Sequence, residues 1–597
     1  MSDSLFFPIV LAGFFVFVTV MGVINAKRDG TAFRAKLKAN FGKRPGRNYT
    51  PEQIARIPRY FDKHRDLTPW CVDDITANDL DLWSVFARIN YCLSAAGEEV
   101  LYHTLRTPLY DKEKLSGRKE ELVFFLKEEE LRTDLQMLYH RLGGSGKYSV
   151  YDYLETLSLV ERKSSLPHYL GIAALVISAG IIPFFFVPGF ALLLCVAVWQ
   201  IVTYYRQKSE SDAYLSTFSY ILRLLICGDA VRDRLSKISS LPVATVERLA
   251  AITARAESLS GFRRGSSVLM SSSRMSGSGN PLDIFADYIR MLLHIDLIKF
   301  NQMVRETEAH SADIDALISA LGELEAMISI VCYRASVPFN EEGNTGWCEP
   351  LFERGEDGTD SAQAARLSVK GLRHALLEEG AVANSMTVTR NVLLTGSNAS
   401  GKSTWLKSLG LAVLMAQTVL TVTADAYDAP LYRIYSSMAL ADDLQGGESY
   451  YIVEIRSLAR VLTAAEKKGE EGAGAGNAAP PVICFVDEVL RGTNTVERIA
   501  ASAQILRYFA ADSRVLLFAA THDLELTELL KDDFDNYHFE GTLSDDDVHF
   551  DYLLKEGPSV TRNAIGLLKR FSYDRQITER AEEMAGRFLK TGVWSMD

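Results

Sequence analysis

Residues 395–404 read Thr-Gly-Ser-Asn-Ala-Ser-Gly-Lys-Ser-Thr, directly after the apolar run Val392-Leu393-Leu394. The spacing is G-x-x-x-x-G-K-[ST], and each residue type answers a demand of phosphate chemistry. Gly396 and Gly401 let the backbone curl with successive N–H groups facing inward, at the positive end of the following helix. Lys402 reaches the outer phosphates, and the Ser403 hydroxyl ligates Mg²⁺. The phosphate-binding stretch is therefore Gly396, Ser397, Asn398, Ala399, Ser400, Gly401, Lys402, Ser403 and Thr404. The ligand implied is a nucleoside triphosphate.

Further along, the apolar run Val482-Ile483-Cys484-Phe485-Val486 ends in Asp487-Glu488. The tip of such a strand lies beside a phosphate loop, so Asp487 can hold the Mg²⁺ shell while Glu488 aligns an attacking water. The next apolar run, Val515 to Ala519, ends at Ala520-Thr521-His522-Asp523, where His522 can sense the γ-phosphate. Between loop and Asp487 lies the segment ADDLQGGESYYIVEI, residues 441–455. Its Gly-Gly-x-Ser offers N–H groups and the Ser449 hydroxyl to an anion. In head-to-tail ATPase dimers such a segment completes the partner's site, so Ser449 is expected to act in trans.

The elements that must position these groups follow from periodicity. A buried strand precedes the loop, and an amphipathic helix runs from about Ser403 to Met415. A turn at Arg491–Thr495 leads to a helix from about Val496 to Phe509. Upstream, Leu82, Val85, Phe86 and Ile89 follow helical spacing, with Asp79 or Asp81 suited to the first turn. A second helical stretch runs from about Asp283 to Val331, with one seam through Ile314, Leu317, Ile318, Leu321, Leu324, Ile328 and Val331. These read as core helices. The Ser/Gly-rich run 263–280 reads as a mobile loop, and 466–481 as a surface insertion.

The chain has 597 residues, enough for several domains, and a net charge of −12. That balance gives no general attraction to nucleic acid, so any DNA contact needs a local basic surface. Seven cysteines show no metal-ligand spacing and read as isolated thiols of a reducing compartment.

Two apolar segments stand out. Leu5 to Ile24 carries no charge and is long enough to span a bilayer. Eight basic residues follow between Lys27 and Arg47 against one acid. The positive-inside rule then places the N-terminus outside and the rest in the cytoplasm. Leu166 to Tyr205 lacks Asp, Glu, Lys and Arg and is broken near Ile182–Gly189. It reads as two short spans with both flanks on one side, which returns the chain to the cytoplasm. The expected location is the cell membrane, multi-pass. Anionic lipid is the preferred partner of the basic run, ahead of DNA.

The ordered set TGSNASGKST, DDLQGGESYYIVEI, FVDEVLRGTNTVERIAAS and ATHDLELTEL resembles the ATPase domain of the MutS family. That family typically shows TGPN-x-x-GKST, GxSTFxxEM, DExGRGTST and ATHxxELT. LSVKGLRHALLEEGAVANSM is similar to the family segment before the loop, with His374 and Asn384 at matching places. DDITANDLDLWSVFARIN resembles the start of its helical core. The resemblance covers residues 350–570 closely and 73–340 loosely.

It implies an α/β P-loop ATPase domain of the ABC/MutS type after an all-α core and lever region, plus transmembrane helices. It further implies ATP hydrolysis with Mg²⁺ in composite sites of a homodimer. Ser403 and Asp487 would serve the metal, Glu488 hydrolysis, Ser449 the partner's site and His522 the γ-phosphate. The chain departs from the pattern at Ser397, at Ser449-Tyr450-Tyr451 and at Leu490, which stands where the family has its first Gly of GRGTST. Only about 25 residues separate the basic run from Asp73, too few for the family's mismatch-reading domains.

The expected organisation is a transmembrane helix (1–26), a basic juxtamembrane segment (27–72), helical core (73–163), a membrane hairpin (164–206), helical core and lever (207–345) and an ATPase domain (346–597). The expected function is a membrane-anchored MutS-like ATPase, with binding to mismatched, damaged or branched DNA implied by the family. The alternatives are an ABC-type transport ATPase, for which Leu-Gln-Gly-Gly-Glu is a superficial signature, and an ATP-switched membrane scaffold.

Overall fold

A computed structural model describes residues 28–68, 70–159, 164–259, 262, 289, 291–338, 345–352, 365–377, 380–397, 399–438, 450–466, 479–491, 493–543, 548–559, 565, 568 and 573–595. The expected span at 5–24, the Ser-rich loop, most of the 466–481 insertion, Asn398 and Ser449 lie outside these residues. The chain divides into two compact units: 1–63, 89–103 and 116–336 form the first, and 64–88, 104–115 and 337–597 the second.

The first unit is helical. Its centre is the helix Ser311–Ser336, which packs against Val243–Ser258, Glu129–Leu142 and the long helix Phe186–Leu235. Every residue of the seam from Ile314 to Val331 is buried, and apolar positions on all sides make this the core helix. By composition it could cross a membrane, but 83% of its apolar window is buried within the protein. The helical stretch expected from Asp283 breaks at His310 into Ile295–Ala309 and Ser311–Ser336. Buried Glu325 accepts hydrogen bonds from Leu93 N, Ser94 N and Ser94 Oγ at the N-terminus of the helix Ala95–Arg106. There the carboxylate meets the positive end of a helix dipole, yet burial pushes its pKa up to about 7.

Part of the basic run is paired with acids of the same unit, while Arg28, Lys36 and Lys43 are exposed. Arg34 pairs with Glu130 and Asp134, Lys38 with Glu129 and Glu130, and Arg47 with Glu98. Sequence counts charges but not partners, so the free patch expected for lipid or DNA is smaller than the count suggests.

The apolar segment forms two helices, Leu166–Ile181 and Phe186–Leu235. The turn is shorter than expected, because Pro188 and Gly189 already lie in the first turn of the second helix. A missing N–H is tolerated there, so proline begins the helix instead of breaking it. The second helix continues past 206 into the helical core without a break. Its stretch Phe186–Gln207 is only 11% buried.

The second unit holds two sheets. β1 (Leu367–Leu372), β2 (Asn384–Val388) and β4 (Ala426–Asp428) form a three-stranded antiparallel sheet in the order β2-β1-β4. β3 (Asn391–Thr395), β5 (Arg433–Ser437), β6 (Val482–Asp487), β7 (Val515–Ala520), β8 (Phe534–Leu543) and β9 (Val548–Glu556) form a six-stranded sheet. Its order is β5-β6-β7-β3-β8-β9, parallel except for β9. β3, β6 and β7 are buried along almost their full length, as parallel strands covered on both faces must be.

Residues 64–88 group with this sheet unit, although 64–72 were expected in the juxtamembrane segment and 73–88 in the helical core. Asp73 caps the short helix Asp74–Asp79 through Thr76 N. Asp79 ends that helix and does not start the next; buried, it accepts from Ser436 Oγ (2.6 Å) and Met438 N (2.9 Å) at the end of β5. Asp81 is the left-handed link (φ 49°) to the helix Leu82–Ile89.

Candidate nucleotide site

β3 delivers the glycine loop. Gly396 has φ 143°, Ala399 φ 65° and Gly401 φ 107°, so the chain curls through conformations that favour glycine. A Cβ on Gly396 would lie 2.6 Å from Phe539 O and 2.9 Å from Ser400 Oγ. The helix Lys402–Thr418 starts at once, three residues longer at its C-terminus than expected. Lys402 Nζ donates to Gly396 O (2.9 Å) and Ser397 O (3.0 Å) and lies 3.4 Å from His522 Nε2. Burial lowers its pKa, opposed by Asp487 and Glu488.

Sheet order decides how the other groups reach this loop. β7 lies between β3 and β6, so the tips of β3 and β6 stand two strand spacings apart, roughly 10 Å. His522, just past β7, therefore sits between loop and carboxylates. Its Nε2 is 2.9 Å from Glu488 Oε1. That hydrogen bond is the main reason the Glu488 carboxyl is held below its usual range. Ser403 Oγ donates to Asp487 Oδ2. Burial raises the Asp487 pKa, and the Ser403 bond opposes the rise.

Three buried oxygens at this point have no hydrogen-bond partner among the described residues: Ser397 Oγ, Ser400 Oγ and Asp487 Oδ1. Buried polar atoms ordinarily find partners. The acceptor on Asp487, beside the Ser403 hydroxyl, fits a hard cation with oxygen ligands. The serine hydroxyls and curled loop fit phosphate oxygens. A cavity of about 500 Å³ opens here, lined by the loop together with His374, Asn384, Glu488 and Tyr552. Asn384 itself is engaged elsewhere, since its amide bridges Tyr552 O and Leu554 N on β9.

Glu454, quoted within a motif but given no role, proves central to the geometry. It is buried on the helix Tyr450–Glu466, and its carboxylate accepts from Leu490 N. A further backbone bond from Arg491 favours its charged form, while burial raises its pKa. Glu488 and Leu490 both adopt positive φ, 55° and 58°. Such backbone strain persists only where surroundings hold it. The left-handed Leu490 also explains physically why glycine suits that position. The sign in the sequence was an acid inside an otherwise apolar helix face, four residues before Leu458.

Comparison with known proteins bears on the same region. The family description MutS domain V matches residues 392–588. DNA mismatch repair protein MutS 2 of Haloarcula marismortui is 26% identical over 303 residues, 47% of this chain and 30% of that protein. DNA mismatch repair protein MutS of Lactobacillus acidophilus is 28% identical over 306 residues, 49% of this chain and 33% of that protein. The MutS of Chlorobaculum tepidum is 27% identical over 48% of this chain and 30% of its own length. Over residues 392–588 the chain matches MutS domain V, and it is similar to MutS proteins over about half of its length. Its helical region followed by a mixed α/β sheet fits the domain V of MutS proteins. The match spans about a third of the length of these MutS relatives.

Proposed function

We propose that this chain is a membrane-anchored MutS-type P-loop ATPase, binding ATP with Mg²⁺ and hydrolysing it in composite sites of a homodimer. One observation carries the reading: Lys402, Ser403–Asp487 and Glu488–His522 converge from three strand ends on one glycine loop. A bound Mg²⁺ would neutralise phosphate charge, with Ser403 and Asp487 as its protein ligands. Gly396 to Thr404 hold the phosphates by backbone N–H groups and Lys402. Glu488, kept ionised by His522, orients water and accepts its proton. His522 couples that carboxylate to the loop. Ser449 of each chain serves the partner's site.

The family's named members are DNA mismatch repair proteins, which supports a DNA-repair-related role. The uncharged run 5–24 and the 166–207 hairpin support a location at the cell membrane, with the N-terminus outside and the sheet unit in the cytoplasm. The many exposed apolar side chains of the hairpin, Phe184 to Val187 among them, support lipid as a partner.

The test uses the full chain purified in lipid nanodiscs. Wild type should hydrolyse ATP in the presence of Mg²⁺, and Glu488→Gln should lower turnover by about 100-fold or more while retaining ATP binding. Equal turnover in both would remove Glu488 from the chemistry. Salt-dependent binding to mismatched, branched and plain duplex DNA tests the repair role, and equal, very weak binding to all three argues against it.

A further inference from the structure

We propose that the 166–207 hairpin is a re-entrant membrane insert, which enters the bilayer from one face and keeps its tip inside the hydrocarbon. This rests on the membrane reading above and specifies how the lipid is engaged. Three independent observations point the same way.

The first is depth. The open end of the hairpin is fixed by a buried polar cluster. His168 Nδ1 lies 2.9 Å from His294 Nδ1, and His294 Nε2 donates to Gln200 O at 2.8 Å. The side chains of His168, Gln200 and His294 are buried, and Tyr204 packs beside His294. This level belongs to the folded unit. From His168 to the end of the first helix at Ile181 leaves about 20 Å of rise. A hydrocarbon core is about 30 Å thick. The apolar arm reaches roughly two-thirds of the way.

The second is side-chain chemistry at the tip. From Ala179 to Trp199 the only polar groups are the Cys195 thiol and the Trp199 indole. Phe184, Phe185, Phe186 and Val187 at the turn are all well exposed, Phe184 at 81%. A hairpin whose turn emerges on the far side places that turn among headgroups and water, and this one offers them nothing.

The third is the backbone. Irregular backbone in lipid is tolerated only when its polar groups are satisfied. Here Ile182 N donates to Ala179 O, Phe184 N and Phe185 N to Ile181 O, and Gly189 N to Phe185 O. Pro183 and Pro188 carry no N–H at all. Gly189 lets the arms close at the tip, since a Cβ there would lie 2.9 Å from Ile182 N. The turn has been stripped of most free donors, as a turn within hydrocarbon requires and a solvated loop does not.

The experiment is cysteine accessibility in the full-length chain. Phe185→Cys is introduced in a Cys195→Ser background, with Lys147→Cys on the exposed surface of the helical unit as the control. Sealed vesicles of both orientations are treated with a membrane-impermeant maleimide, before and after detergent. The background chain without Phe185→Cys gives the blank. The proposal expects Lys147→Cys to label from one face, and Phe185→Cys to label from neither until detergent is added. Labelling of Phe185→Cys from the face opposite the control shows a spanning hairpin and overturns re-entry, while the membrane reading stands. Labelling from the control's own face places the hairpin in water and sinks both.

Discussion

Glu454→Ala isolates the contribution of a residue that does not line the candidate nucleotide cavity. The carboxylate accepts from Leu490 N and holds a turn in which Glu488 and Leu490 both have positive φ. Leaving a buried N–H without its charged acceptor costs about 1–3 kcal/mol. The two left-handed residues store about 1 kcal/mol each at the low end of such strain. Loss of the grip therefore favours a relaxed turn by about 2 kcal/mol, and Glu488 moves away from His522. That energy corresponds to roughly 30-fold, so ATP turnover should fall about 10- to 100-fold. Binding should change little, because Lys402 is held by Gly396 O and Ser397 O and the loop is carried by β3. Single-turnover hydrolysis and equilibrium binding of a fluorescent ATP analogue separate the two. Glu454→Gln keeps an acceptor oxygen and should lose less. Leu490→Gly, added to Glu454→Ala, should recover about fivefold by removing one strained position, with Leu490→Gly alone as the packing control. Wild-type turnover in Glu454→Ala, or a loss of binding equal to the loss of turnover, refutes the argument.

Gly396→Ala should abolish nucleotide binding in the same assay, since its Cβ would meet Phe539 O, a backbone atom that cannot step aside. Ser403→Ala removes a donor to Asp487 and the proposed metal ligand; binding measured with Mg²⁺ should weaken about tenfold, while binding in EDTA should not change. Glu325 titrates near pH 7 in the folded helical unit against 4.5 for an ordinary glutamate. A carboxylate with a raised pKa is a better guest protonated, so this contribution is fully present below pH 4.5 and lost as pH rises through about 7. The loss is worth about 3 kcal/mol. Thermal melts followed by circular dichroism should show Glu325→Gln more resistant than wild type at pH 8 and indistinguishable at pH 4.5. The opposite order would show that the charged form is the stabilising one.

Much of the candidate site was legible because its signals are local. The glycine loop needs positive φ at named positions, and the acids at 487 and 488 end an apolar run of strand length. Helix limits near 402, 495 and 510 agreed with periodicity within a few residues. Asp79 was misplaced because a helical acid and an acid bound to a distant strand look alike until the strand is present. Glu454 escaped for the same reason: its partner, Leu490 N, lies 36 positions away. The basic run misled in the other direction, since Arg34 and Lys38 find acids about a hundred residues distant.

By itself the sequence determined the groups available: a glycine loop before Lys402, two acids ending an apolar run, a histidine after the next strand, and an uncharged hairpin. Those are consequences of backbone conformation and hydrophobic period, which act over a few residues. Only the tertiary structure decided that β7 lies between β3 and β6, which puts His522 in reach of both Lys402 and Glu488. It alone showed which buried acid steadies the strained turn and how short a reach the hairpin has beyond its polar base. Strand order and burial are set by long-range pairing, whose partners are not written next to each other in the chain.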